Sequence, residues 1–193
     1  MEKKPDVTFV LGGPGCGKGT LCQMIVKKYP DIVHLSAGDL LRAEGKTNSD
    51  QAKIINDLIN QGKVVPVKIS CGLLKKAMIA NGWEKKRYLI DGYPRNQDNL
   101  DGWNEIIGAS AIVKQVLYVE CPKDVTMDRL LKRDRGADDQ KSVIEKRFKH
   151  FDTVEYPMVE YFLKKGMVIK IDGSKTPDNT FEQVKKYFEI NFH

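Results

Sequence analysis

The sequence predicts an α/β protein whose parallel sheet is covered by helices on both sides. Three observations carry that prediction. Short apolar runs alternate with longer amphipathic segments along the whole chain, and strands separated by helices need crossover connections that make them parallel. The runs are apolar at nearly every position rather than at every second one, as strands buried on both faces are. No internal repeat, low-complexity tract or proline-rich linker breaks the alternation.

Taken in order, residues 7–11 (VTFVL) are a strand that ends at glycines, and residues 19–29 follow as an amphipathic helix. Residues 32–35 are the weakest strand candidate. Helices are expected over 50–61 and 68–80, then a strand at 88–90 and another at 116–119. Helices over 123–132 and 142–165, the latter as one long helix, precede the strand at 168–171. The last helix, 180–188, follows Pro177 with Asp178 and Asn179 as caps. Ligands of such sheets bind beyond the carboxyl ends of the strands, and the motifs below all follow strands.

A chain of 193 residues with 41% hydrophobic and 30% charged residues builds one domain with a real core. No apolar run approaches the ~20 residues of a bilayer span, and no signal-peptide pattern precedes the first strand. Cys16, Cys22, Cys71 and Cys121 form no CxxC pair. They read as free thiols of a reducing compartment, which points to the cytoplasm, with the nucleus open to a chain of this size. The net charge of +6 rests on 25 lysines and seven arginines. The lysines are dispersed, as on solvated helix faces, and not interleaved with aromatics as in a nucleic-acid-binding module. Neither a nucleic-acid nor a membrane partner is expected, and with no exposed apolar stripe or heptad seam the expected state is a monomer.

Residues 12–20 (GGPGCGKGT) fit G-x-x-x-x-G-K from Gly12 to Lys18. Glycines let backbone N–H groups converge on phosphate oxygens, the following helix start adds positive charge, and Lys18 supplies a mobile ammonium. The dinucleotide pattern G-x-G-x-x-G fits no register here. The loop marks a nucleoside triphosphate site on a three-layer P-loop NTPase fold. The position after Lys18 is Gly19, with the hydroxyl deferred to Thr20.

In a chain that spends lysine on solubility, arginine at loops and helix starts signals geometric need, because its planar fork binds phosphate bidentately. Arg42, Arg95, Arg133, Arg135 and Arg147 occupy such positions, while Arg87 and Arg129 read as surface or packing residues. Asp91 ends a strand expected beside the phosphate-loop strand, where a carboxylate holds Mg²⁺ through water. No Ser-His-Asp or Cys-His arrangement is present, and His34, His150 and His193 lie outside the motifs. A guanine-reading N-K-x-D motif is also missing, which argues against a GTPase switch.

Together, GGPGCGKGT (12–20), LSAGDLLR (35–42), GKVVPV (62–67), LIDGYPRNQDNLDGW (89–103), Asp138–Asp139, Lys146–Arg147 and IDGSK (171–175) resemble the nucleoside monophosphate kinases of the adenylate kinase type. Within that family, residues 96–103 (NQDNLDGW) look like the UMP-CMP kinases rather than adenylate kinase proper. The resemblance spans nearly the whole chain. It implies a five-stranded parallel sheet in a single domain, with its core at about 1–35, 66–132 and 140–193. A helical monophosphate-binding insert would lie at about 36–65 and a short lid at about 133–139.

By position, the resemblance assigns ATP to Gly15, Cys16, Gly17, Lys18, Gly19, Thr20, Arg133 and Lys175. It assigns the monophosphate to Ala37, Gly38, Arg42, Lys63, Val64, Val65, Gly92, Tyr93, Pro94, Arg95, Asn99, Arg135 and Arg147. Lys18, Arg95, Arg133, Arg135 and Arg147 would act in catalysis. The implied reaction is reversible, Mg²⁺-dependent transfer of the ATP γ-phosphoryl to UMP or CMP, with dCMP a further acceptor. AMP is the alternative acceptor. Asn99 would read the base, a rotating carboxamide meeting either pyrimidine.

Two departures stand out. Family short lids carry an arginine two residues before the Asp-Asp pair, whereas here that position is Gly136 and the segment is three residues shorter. Arg135 is the nearest replacement. Cys16 stands where alanine or serine is usual, and reads either as a small fitting residue or as a thiol activated by the helix start.

Overall fold

The computed structural model describes residues 4–61, 65–133 and 140–189. Five strands form one parallel sheet: β1 (Asp6–Leu11), β2 (Ile32–Ser36), β3 (Arg87–Asp91), β4 (Ile112–Glu120) and β5 (Val168–Asp172), in the spatial order β2-β3-β1-β4-β5. The apolar P-loop strand β1 is central, which explains why it lacks a polar face.

Alternation along each strand sorts the core into two layers. Phe9, Leu35, Tyr88, Ile90, Val116 and Tyr118 face one side, where α4 (Val67–Ala80), α5 (Gln97–Trp103) and α8 (Tyr156–Lys164) supply Leu74, Met78, Trp103 and Phe162. Val10, Leu89, Leu117 and Val119 face the other, against Leu21, Cys22 and Ile25 of α1 (Lys18–Lys28) and Phe181, Val184 and Phe188 of α9 (Pro177–Glu189). Helix on sheet on helix is the three-layer arrangement expected. Leu130, Ile144 and Phe148 form a small third cluster joining α6 (Lys123–Arg133) to α7 (Lys141–His150).

Register decides where the site lies. Val10 pairs with Asp91, Leu11 with Tyr118, and Ser36 with Asp91. The carboxyl ends of β1, β2, β3 and β4 therefore finish level, and the segments after them meet along one rim. Two further helices, α2 (Ala37–Gly45) and α3 (Asp50–Asn60), fill the stretch expected as the insert. Ser36 caps α2 by accepting a hydrogen bond from the Asp39 N–H at 3.2 Å. Of the expected lid, only Arg133 is within the described residues.

Three expectations are corrected. The strand read at 116–119 runs from Ile112 to Glu120, because its first half is only half-buried and carries Lys114 and Gln115, which hide it from an apolar pattern. The helix read as continuous over 142–165 is interrupted by a π-turn, Phe151–Glu155. Pro157 at the start of α8 has no N–H, and its ring opposes the carbonyl four residues back, so the ladder widens there. Residues 97–103, for which no helix was expected, form α5, with Asn96 as cap accepting from the Asn99 N–H at 2.9 Å.

Candidate active site

Beyond the strand ends lies a cavity of about 560 Å³. Its wall combines residues 14–21 of the phosphate loop with Gly38 and Arg42 of α2, Asp91, Gly92 and Arg95 after β3, Arg133 of α6, Arg147 of α7, and Gly173 and Lys175 after β5.

The phosphate loop owes its path to glycine. Gly15 has φ +78°, and a Cβ there would stand 2.8 Å from Leu130 Cγ and 2.9 Å from the Thr126 carbonyl. The loop is thus both left-handed and pressed against α6. Gly17 opens α1 without a side-chain cap, and the first helical bond is Leu21 N–H to the Gly17 carbonyl at 3.0 Å. The N–H groups ahead of Leu21 are left directed out of the helix start, with the dipole behind them.

Lys18 Nζ donates to the carbonyls of Gly12 at 2.6 Å and Gly13 at 2.9 Å and reaches Cys16 Sγ at 3.6 Å. Burial favours loss of its proton, but Cys16, Asp91 and Glu155 together outweigh burial and Arg95, and the ammonium pKa is raised above its ordinary value. Lys18 is a fixed cation. Cys16 is only 2% exposed, which fits the small packed residue rather than an accessible activated thiol.

The arginines arrive from separate elements. Arg42 pairs with Asp39 one helical turn back. Arg95 Nε donates to the Gly92 carbonyl at 3.1 Å, with Glu155 Oε1 at 3.9 Å. Arg133 and Arg147 reach the same cavity from α6 and α7. Asp91, 8% exposed, meets His34 Nε2 through Oδ2 at 3.3 Å.

The structure brings Gly15, Cys16, Gly17, Lys18, Gly19, Thr20, Gly38, Arg42, Asp91, Gly92, Arg95, Arg133, Arg147 and Lys175 to one wall. It places Ala37, Val65, Tyr93, Pro94 and Asn99 off that wall. Tyr93 and Asn99 are buried behind it, the Tyr93 hydroxyl donating to the Asn99 carbonyl at 2.6 Å. Asn99 Oδ1 accepts the Arg95 N–H at 3.2 Å. Turning the amide would set two donors face to face, so the rotation expected of Asn99 is opposed and Nδ2 is the end left for another partner. Lys63, Val64 and Arg135 lie outside the described residues.

Three contributors were missed. His34, half-buried, stands on the cavity wall two positions before Ser36 in β2; the period of a strand feeding the 35–42 motif was the available signal. Glu155 comes from the π-turn, which no local pattern announced. Arg129 clamps the loop after β5, donating to the carbonyls of Gly173 at 2.7 Å, Ser174 at 3.3 Å and Lys175 at 3.4 Å. The packing role read for it is therefore exerted on the site itself.

A phosphate loop with five arginines lining one cavity matches a known lineage. A family description, adenylate kinase, fits residues 10–167. The chain belongs to the adenylate kinase family. It is 47% identical to a UMP-CMP kinase of Danio rerio and 43% identical to one of Homo sapiens, each alignment covering 96% of this chain and 98% of the relative. A UMP-CMP kinase 3 of Arabidopsis thaliana is 45% identical over 96% of this chain and 90% of its own length. The family match and these relatives make the chain an ATP-dependent nucleoside monophosphate kinase.

Proposed function

We propose that this protein reversibly transfers the γ-phosphoryl group of ATP to UMP or CMP, and also to dCMP, giving ADP and the nucleoside diphosphate. The observation that carries the reading is the shared wall on which Lys18, Arg42, Arg95, Arg133 and Arg147 meet although they come from five separate segments. A lone triphosphate does not need so many forks; two polyanions brought together do. The names of the relatives favour pyrimidine acceptors.

In this reading the phosphate loop and the start of α1 hold the ATP phosphates, and the loop braced by Arg129, with the Lys175 backbone, lies against the adenine. Arg42, Arg95 and Arg147 hold the monophosphate, and Arg135 is assigned to the same anion. Ala37, Gly38, Gly92, Pro94 and residues 63–65 line the acceptor nucleoside. A phosphate oxygen of the acceptor forms a new bond to the γ-phosphorus while the bond to the β-phosphate oxygen breaks. That oxygen is already ionised at neutral pH, since the second phosphate pKa is about 6, so no general base is needed. Lys18 and Arg133 follow the migrating group, and Arg95 and Arg147 keep the acceptor in line.

The fit to Mg²⁺ rests on Asp91, an oxygen ligand on the cavity wall beside the phosphate loop. A carboxylate binding through water suits a cation that keeps most of its hydration. Asp91 would hold the ion through water, and the ion would supply neutralisation of the phosphate charge. The reading takes small-molecule substrates alone, without nucleic acid or membrane, and a monomer in the cytoplasm. All four cysteines are free thiols, and among the described residues no helix is long and apolar enough to cross a membrane.

ADP release measured in parallel with AMP, CMP, UMP, dCMP, GMP and dTMP tests the reading. CMP and UMP should lead on kcat/KM. A lead for AMP would overturn the pyrimidine assignment.

A further inference from the structure

Beneath the phosphate loop, three side chains from three elements turn donor atoms toward one point. Cys22 comes from α1, His34 from β2 and Asp91 from the end of β3, and their ligand atoms all lie within 4.8 Å of one another. We propose that Cys22, His34 and Asp91 form an inhibitory binding site for a borderline-soft divalent cation of the zinc type, one that competes for Asp91 with the Mg²⁺ that accompanies ATP.

Geometry supports three ligands to one ion. With metal–nitrogen and metal–oxygen bonds of ~2.0–2.1 Å, the N···O edge of a tetrahedron is about 3.3 Å. His34 Nε2 and Asp91 Oδ2 are 3.3 Å apart. Edges to sulfur would be about 3.5 Å, so the Cys22 thiol closes by no more than ~1.3 Å. Two of the supports are rigid, because the register sets Ser36 opposite Asp91 and Leu35 opposite Ile90. His34 and Asp91 stand on the cavity wall while Cys22 is fully buried below it. An ion held by these three keeps a fourth position toward the phosphate cavity, as three-ligand zinc sites do.

Donor chemistry selects the metal. Thiolate and imidazole suit zinc and cadmium, whereas magnesium takes oxygen. Burial, and then Asp91, raise the Cys22 thiol pKa against the opposing field of Lys18, so the thiol carries its proton. Binding therefore replaces that proton: the S–H bond breaks, the sulfur–metal bond forms and H⁺ leaves to solvent. Thiolate and carboxylate then balance the two charges of the ion, as a buried site requires. Inhibition would follow from the loss of Asp91 to the ion and from a ligand in the fourth position facing the phosphate loop. That consequence rests on the role proposed above for Asp91; the binding does not.

The test uses the full chain in metal-free buffer without nucleotide, titrated with Cd²⁺ while the near-ultraviolet cadmium–thiolate absorbance is followed. One equivalent should bind, the band should survive Cys121→Ala, and it should vanish in Cys22→Ala. Cys22→Ser and His34→Gln serve as second variants, the first removing the band and the second weakening binding at least tenfold with every thiol in place. No band in the unaltered protein, or a band that persists without Cys22, would overturn the site. In the transfer assay with excess Mg²⁺, Zn²⁺ should inhibit reversibly by chelator, and Cys22→Ala should stay active while needing at least tenfold more Zn²⁺. Binding without inhibition would overturn the inhibitory role and question Asp91 as the magnesium residue, while leaving ligation intact.

Discussion

The carboxamide of Asn99 has lost half of its freedom to its neighbour. Because Oδ1 accepts the Arg95 N–H, what the side chain has left to offer a base is a donor, and cytosine N3 and uracil O4 both accept. If Asn99 reads the base, one fixed donor would serve two pyrimidines where rotation had been expected to. Asn99→Asp keeps the acceptor toward Arg95 and removes the donor, so kcat/KM for both CMP and UMP should fall by roughly 10-fold or more, a buried hydrogen bond being worth about 1–3 kcal/mol when left unmade. Unchanged values for both acceptors in steady-state kinetics would remove Asn99 from base recognition. At Lys18 the demand is heavier: a fixed cation on the migrating phosphoryl should cost on the order of 10³-fold in kcat when replaced by alanine, and a Lys18→Ala enzyme with half its turnover would refute the assignment. Residues of this kind were legible because phosphate chemistry leaves a compact signature, glycines beside a lysine and arginines away from the solvated faces. Arg129 and Glu155 were not legible, since Arg129 contacts the β5–α9 loop, remote in sequence, and Glu155 is brought beside Arg95 by a π-turn that no local pattern announced.

At the scale of elements, strands buried on both faces announced themselves, and the helix that failed to continue did not. Pro157 was in plain view within 142–165, yet a proline near a helix start and one inside a helix look alike until the preceding turn is known. Close packing was hidden for a similar reason. A Cβ on Gly102 of α5 would fall 2.0 Å from Val67 Cγ2 at the start of α4, so this glycine is dictated by approach of two helices and not by backbone conformation. Gly102→Ala should lower stability by about 1–3 kcal/mol, a drop of several degrees in Tm by calorimetry, and an unchanged Tm would mean the helices part freely. The edge of the sheet offers a pH-dependent case. Arg87 Nε and Nη2 donate to Asp31 at 2.6 and 3.2 Å, joining the turn before β2 to β3, and this hydrogen bond holds the Asp31 carboxyl below its ordinary pKa. A depressed carboxyl contributes stability above its unfolded pKa, about 3.9, and loses it as pH falls through the lower folded value. With Asp31 half exposed the pair is worth well under ~1 kcal/mol. Denaturant midpoints of Arg87→Ala and the unaltered protein should therefore differ slightly at pH 7 and converge as pH falls below the ordinary carboxylate range; a gap that stays constant would place the effect in packing instead.

Over the whole molecule, the charge of +6 says less than its distribution. Lysines spread over the surface favour any anion weakly, but the cavity gathers guanidiniums from α2, the β3–α5 loop, α6 and α7 around Lys18, and each of those segments hangs on a different part of the scaffold. No single segment completes the cage. In the proposed reading Arg42, Arg95 and Arg147 hold the acceptor, so the full set of forks is engaged only when the acceptor phosphate is also present. A water molecule in place of that phosphate brings no negative charge to hold these forks in line, and binding energy from the acceptor cannot be used to organise the transfer. ATP hydrolysis without a monophosphate should consequently run at least roughly 10³-fold below transfer, the scale on which a catalytic arginine acts in phosphoryl transfer. Phosphate release measured with ATP alone, then with CMP or UMP added under otherwise identical conditions, gives the ratio directly. Hydrolysis within tenfold of transfer would mean that the donor half assembles its catalytic charges unaided, and that the arginines of the acceptor half hold substrate without governing the chemistry.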